Sequence, residues 1–216
     1  MRPVTASLGV VLLAMVWSPA MAIEEPEYRV VKEYEGFELR RYAAFLIAAT
    51  EVQGEFDAAG NRGFRILFDY ISGNNEQAEA IAMTAPVGQR AKGEKIAMTA
   101  PVSQAKADGS ANLYSISFVV PGEYTLETVP RPRDPRVRIQ QVPSRLVAVR
   151  RYSGRWRVGN YRENESVLLQ AVANAGLQTV GEPEYARYNS PFKPWFMRRN
   201  EVMIEVRTAD VVEFSR

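Results

Sequence analysis

Hydrophobic and polar positions alternate along most of the chain beyond residue 22. The alternation predicts strands at Tyr28–Val31, Phe37–Tyr42, Phe45–Val52, Leu113–Val120, Val137–Val142, Leu146–Ser153, Glu184–Tyr188 and Glu201–Arg207. It is cleanest in Arg136-Val-Arg-Ile-Gln140 and Val202-Met-Ile-Glu-Val206. In two places the pattern switches to a helical period. Phe64, Leu67, Phe68 and Ile71 fall at i, i+3, i+4 and i+7, one apolar face of a helix stopped by Gly73 and Asn74. Tyr161, Leu168, Val172 and Ala175 supply a second stripe, with Asn160 and Glu163 as a capping box and Gly176 as the stop. The proline-rich stretches Val129–Pro135 and Ser190–Pro194 are too stiff and too poor in donors for central strands, and read as loops.

Both helical stretches sit inside a repeat. Leu46-Ile-Ala-Ala, Gly54-Glu-Phe56, Asn61-Arg62 and Leu67-Phe68 line up with Leu146-Val-Ala-Val, Gly154-Arg-Trp156, Tyr161-Arg162 and Val167-Leu168, one hundred residues later. Each copy runs apolar strand, glycine break, aromatic, helix. Two helices and many strands in two similar halves predict one α+β domain with pseudo-twofold symmetry, its antiparallel sheet curled into a distorted barrel. A shorter repeat, Ile81–Val87 and Ile96–Val102, spells Ile-Ala-Met-Thr-Ala-Pro-Val both times. Closed by proline, each copy reads as a strand end or an edge segment. Met83 and Met98 within it are either plastic core fillers or soft ligands.

Residues 1–22 stand apart. Arg2, the apolar run Leu8–Trp17 and the small residues closing at Ala20-Met21-Ala22 predict a secretory signal peptide cut after Ala22, an uncleaved anchor being the alternative. The run is shorter than the ~20 residues of a spanning helix. The expected mature domain is residues 23–216, periplasmic or secreted, without stable membrane insertion after cleavage.

Composition narrows the chemistry. The 216 residues include no Cys and no His. Disulfides, thiolate or imidazole metal ligands, cysteine nucleophiles and Ser-His-Asp triads are therefore excluded. No tight carboxylate pair, phosphate-cradling glycine loop or metal-ligand spacing stands out, so a non-catalytic protein is expected. The net charge of +2 is too near balance for a nucleic-acid binder. It conceals an acidic stretch, net −4 over residues 23–122, and a basic one, net +5 over 123–216. Arg136/Arg138 and Arg155/Arg157 alternate with apolar residues and would line an outward strand face. That face either grips carboxylates or phosphates, or is simply solvated.

Five segments, in order, resemble the SOUL haem-binding family: Lys95-Ile-Ala-Met-Thr-Ala-Pro-Val102, Phe118-Val-Val-Pro121, Val129-Pro-Arg-Pro-Arg-Asp-Pro-Arg-Val137, Ala148-Val-Arg-Arg-Tyr-Ser-Gly154, and Tyr188-Asn-Ser-Pro-Phe-Lys193 with Arg198-Arg-Asn-Glu-Val202. The resemblance covers about the whole mature chain. It implies a distorted barrel of strands with two helices in two similar halves, an architecture shared with effector-binding domains of bacterial multidrug regulators. It also implies haem or another tetrapyrrole, held non-covalently in a surface groove. That groove lies between the first helix, here Asp57–Ile71, and the loop before the last strand, here Tyr188–Arg199.

Candidate contacts on the helix are Arg62 and Arg65, toward propionates, with Phe68 and Ile71 as apolar surface. On the loop they are Tyr188, Phe192, Lys193, Trp195 and Met197, an aromatic cluster that either touches the ligand or folds over the barrel mouth as a lid. Some family members have been assigned a histidine axial ligand, and this chain has none. Haem here is expected to be held by shape, apolar contact and cations, or through Met83, Met98, Met197 or Tyr188. A basic position late in the family's first helix falls on Asp69. The expected protein is thus a monomeric, exported, non-catalytic tetrapyrrole binder. The alternative is a general binding module for amphipathic small molecules or envelope lipids.

Overall fold

The computed structural model describes residues 24–76, 93–107 and 112–207. Its strands are β1 (Tyr28–Tyr34), β2 (Phe37–Tyr42), β3 (Phe45–Gln53), β4 (Asn75–Glu76), β5 (Val102–Lys106), β6 (Leu113–Val119), β7 (Arg131–Pro132), β8 (Arg138–Val142), β9 (Arg145–Tyr152), β10 (Gln178–Arg187) and β11 (Asn200–Arg207). Helix α1 spans Phe56–Ile71 and α2 spans Val158–Asn174. Residues 1–22, expected from sequence to be a signal peptide, and the first Ile-Ala-Met-Thr-Ala-Pro-Val copy, with Met83, lie outside the described residues.

Nine strands form one antiparallel sheet in the order β1-β2-β9-β11-β10-β5-β6-β3-β8. Read outward from the β10–β5 pair, β10, β11, β9 and β2 mirror β5, β6, β3 and β8. The hundred-residue repeat is therefore a real duplication of architecture. Its two glycine breaks are alike in conformation, Gly54 at φ +138° and Gly154 at φ +134°, backbone that a side chain rarely tolerates. The expected barrel is corrected in one respect. Its end strands β1 and β8 do not pair with each other, so the sheet stays open.

Both helices lie on one face of the sheet. Helix α1 packs on β3 and β6 and α2 on β9, β10 and β11. Leu67 and Leu168 are fully buried at the two interfaces, and burial of such a side chain is worth ~1.5–3 kcal/mol. Two glycines let α1 sit close. A Cβ at Gly60 would meet Gln104 Oε1 at 2.6 Å, and one at Gly63 would meet Ile116 at 2.6 Å. The opposite face carries a third cluster of Tyr42, Val147, Val149, Ala186, Tyr188 and Met203.

Several expectations change locally. The second Ile-Ala-Met-Thr-Ala-Pro-Val copy does not end a strand: Ile96–Pro101 is irregular, and β5 starts at Val102, in the middle of the sheet. The proline removes a ladder donor, so pairing begins after it. Asn160 does not cap α2. The helix begins three residues earlier, after Arg157, and Asn160 Nδ2 instead donates to the Arg155 carbonyl at 3.1 Å. Phe68 is 47% exposed, whereas Tyr70, off the expected stripe, is buried and donates to the Pro130 carbonyl at 2.8 Å. Arg155 and Arg157 sit in the β9–α2 turn rather than on a strand.

Candidate functional site

A cavity of about 490 Å³ opens over the β5–β10 seam where the two halves meet. That is within the ~300–1,000 Å³ usual for small-molecule sites. The first half contributes Gly60, Asn61 and Phe64 from α1, Val102 and Gln104 from β5, Ile116 from β6 and Met98–Ala100 from the segment before β5. The second half contributes Trp156, Arg187 and the loop Tyr188–Phe192. These are the helix and the loop expected to bound the groove.

Local hydrogen bonding fixes each wall. Before β5, Ile96 N–H donates to the Ile71 carbonyl at 2.9 Å and Ala100 N–H to the Glu24 carbonyl at 2.9 Å. The Thr99 hydroxyl donates to the Val119 carbonyl. Trp156 Nε1 donates to Oδ1 of fully buried Asn200 at 2.8 Å, and Asn200 Nδ2 donates to the Gly154 carbonyl at 3.2 Å. Arg198 stacks on Trp156, 4.4 Å from its centroid, and donates to the carbonyls of Lys193 at 2.8 Å and Pro191 at 2.6 Å. The loop that presents Phe192 is therefore tethered to the indole wall.

Two polar groups mark the groove. Arg187 stacks between Trp156 and Tyr161, 5.2 and 5.4 Å from their centroids. No carboxylate among the described residues forms an ion pair with it. Its charge lowers the Tyr161 phenol somewhat, but burial dominates and pushes that phenol up to about 12. Gln104 donates from Nε2 to the Phe56 carbonyl at 2.9 Å, while its buried Oε1 has no hydrogen-bond donor. The floor thus offers an acceptor, the wall a cation, and the remaining lining is largely apolar.

The expected site residues are placed differently. Tyr188 and Phe192 line the groove, with Phe192 95% exposed at its lip. Arg62 and Arg65 line an outer shoulder on α1 that shares Asn61 and Phe64 with the groove. Arg62 is already engaged, donating to the Gln53 carbonyl at the Gly54 turn. Phe68 stacks on Phe64 at 5.8 Å and so backs the wall without lining it. Ile71 is corrected: it belongs to the core under α1. Trp195, Phe196 and Met197 form an exposed 3₁₀ turn beyond the groove, with Lys193 beside them, and do not cover the sheet as a lid. Met98 is not a core filler: it lines the groove and is 46% exposed. Asp69 accepts a hydrogen bond from Asn74 at 2.7 Å at the far end of α1, outside the groove lining.

Tyr188 also faces the other side of the sheet. Its hydroxyl donates to Glu201 Oε2 at 2.7 Å, and burial beside that carboxylate raises its pKa well above the usual phenol range. Glu201 is fully buried and accepts from Arg40 at 3.1 Å and Arg199 at 3.0 Å. Arg199 also pairs with Glu25 at 2.9 Å, and Arg40 with Glu38 at 2.7 Å. The phenol oxygen is committed to this network and is not available as an iron ligand.

Comparison with known proteins identifies the family. The family model described as SOUL heme-binding protein matches residues 23–92 and 87–205. The chain belongs to the SOUL family. Among its relatives, Heme-binding protein 2 of Homo sapiens is 27% identical over 196 residues, covering 84% of this chain and 89% of the relative. Heme-binding protein 2 of Mus musculus is 26% identical over 202 residues, covering 87% and 92%. The SOUL fold also resembles solved structures of EcmrR. Its C-terminal domain superposes with a TM-score of 0.55 at 10% identity, over 84% of this chain and 98% of that one. The EcmrR–DNA complex gives a TM-score of 0.57 at 10% identity, over 80% and 57%.

Proposed function

We propose that this SOUL-family chain is an exported, non-catalytic haem or tetrapyrrole binder that works as a monomer and does not engage nucleic acid. The observation that carries the reading is the seam groove itself: a largely apolar slot with one cation, Arg187, that no described carboxylate neutralises. A flat apolar macrocycle with two propionates needs both features, and bidentate guanidinium–carboxylate pairing suits its acid edge. Family membership and the two haem-binding relatives support the same class of ligand.

The residues fit the group without imidazole. Phe64, Val102, Ile116 and Phe192 would pack its faces, Arg187 would take a propionate, and Arg62 and Arg65 would lie along the outer shoulder. Met98 supplies a thioether to the groove lining. Bound haem would supply its iron and its absorption. The chain supplies orientation and exclusion of water. Holding by shape and charge makes the binding reversible and tolerant of the metal.

Absorbance titration of the purified protein tests this. Haemin is expected to give a saturable Soret shift at one equivalent, and iron-free protoporphyrin to compete with it. No saturable shift from folded protein would refute tetrapyrrole binding. The second reading, a general module for amphipathic compounds, is favoured by the orphan acceptor of Gln104, which any donor-bearing ligand would satisfy. It predicts that fatty acids and unrelated hydrophobes compete as well as protoporphyrin.

A further inference from the structure

Ligand binding accounts for Phe192 at the groove lip but not for the exposed turn Trp195–Met197 beyond it. Phe192 is 95% exposed, Phe196 61%, Met197 57% and Trp195 47%, four large apolar side chains in six residues, with Pro191 exposed before them and Pro194 among them. Scattered exposed apolar residues are ordinary, but a contiguous group at a tethered loop tip marks an interaction surface.

The two chain segments that form the tip carry basic residues and no acid. The turn lies against the β9–α2 connection: the Gly154 N–H donates to the Trp195 carbonyl at 3.1 Å, and Arg155 stands over the Trp195 ring at 5.4 Å. Residues 153–162 carry Arg155, Arg157 and Arg162 and no acid, and residues 189–200 carry Lys193, Arg198 and Arg199 and no acid. Arg155 and Arg157 are exposed and appear in no ion pair of the described residues. Arg162, Arg198 and Arg199 are engaged within the fold.

We propose that the turn Pro191–Met197 is a peripheral docking site for an anionic lipid bilayer. Its aromatic side chains would enter the headgroup region while Arg155, Arg157 and Lys193 meet lipid phosphates. Trp and Phe at the tip with cations behind them are the pairing that interfacial anchors use, because amphipathic rings favour the headgroup level and basic residues are drawn to anionic leaflets. No described helix is long and apolar enough to span a membrane, so the contact is superficial. Phe192 belongs both to the turn and to the groove lip, so a docked molecule would open its groove beside the bilayer. The proposal stands whatever the groove holds.

Residues 23–216 include every described element and omit the apolar leader, so this form is the one to test. It is sedimented with vesicles of phosphatidylcholine, and with vesicles containing about a third phosphatidylglycerol. Binding is expected to be at least about tenfold stronger to the anionic vesicles and to weaken with salt. Brominated acyl chains should quench Trp195 emission. Phe196→Ser, outside the groove lining, should lower partitioning about fivefold and leave the haemin titration unchanged. Arg155→Gln with Arg157→Gln should remove the preference for phosphatidylglycerol. Circular dichroism verifies that each variant is folded. Equal binding to both vesicle types, no binding, or partitioning indifferent to Phe196→Ser would overturn the proposal.

Discussion

Two groups of arginines, on opposite faces of one sheet, have opposite fates. On the helix-free face Arg40 and Arg199 are locked against Glu201, with Glu38 and Glu25 closing the chain of charges. Over the seam, Arg187 rests on two aromatic rings and meets no described acid. Tyr188 borders both regions: it is among the residues lining the groove, while its ring carries Arg199 at 3.7 Å and its hydroxyl joins the network. A buried guanidinium that is paired contributes to architecture, because breaking the pair strands a charge. One that is half-buried, stacked and unpaired is ready for an anion from outside. The comparison separates arginines committed to the architecture from the one that the proposed ligand would engage.

Alkali should break both regions at once and has the largest expected effect. Burial raises the phenols of Tyr152, Tyr161 and Tyr185 under α2, Tyr70 under α1, and Tyr188 on the far face. A phenol with its folded pKa above its unfolded value of about 10 favours the folded state fully below that pH. The advantage is then lost as pH rises, at about 1.4 kcal/mol per pH unit for each phenol that ionises only on unfolding. Stability is therefore expected to be flat from neutrality to about pH 10 and to fall steeply above it. Tyrosinate absorption from the buried rings should appear together with loss of the circular dichroism signal. Ionisation of all tyrosines well before unfolding would contradict their burial.

Glu201→Gln attacks the network alone. Leaving Arg40 and Arg199 without their shared carboxylate is expected to cost about 3–5 kcal/mol in urea unfolding. A cost under about 1 kcal/mol would show that the network is not what holds the far face. Gly63→Ala attacks the groove's scaffold, since the added Cβ meets Ile116 at 2.6 Å. Overpacking of that kind costs about 1–3 kcal/mol and should also shift α1 enough to weaken ligand binding. Arg62→Ala with Arg65→Ala is expected to do least. Arg62 already serves the Gln53 carbonyl and both lie on the open shoulder, so haemin affinity should fall no more than about threefold.

Much of the fold was legible because it is written locally and twice. Alternation located the strands, and the hundred-residue repeat revealed the two halves. The site was legible only as a place, the first helix facing the loop before the last strand. Its chemistry was hidden because it depends on residues far apart in the chain. Arg187 acquires meaning only beside Trp156 and Tyr161, and Glu201 only beside Arg40. Phe68 was misplaced because the spacing from Phe64 fits a buried stripe, while the close seating of α1 at Gly60 and Gly63 turns Tyr70 inward instead. Open closure of the sheet could not be read at all, since nothing in β1 or β8 alone says whether those edges meet.

The central claim is that Arg187, and not the helix arginines, anchors the ligand's acid group. Haemin dissociation constants measured side by side for the wild type, Arg187→Ala and the Arg62/Arg65 double variant test it most directly. Loss of a charge-assisted pair worth about 1.5–3 kcal/mol predicts a ten- to hundredfold weaker constant for Arg187→Ala at nearly unchanged stability, with the double variant close to wild type. An unchanged constant for Arg187→Ala, or a larger loss in the double variant, would contradict the account.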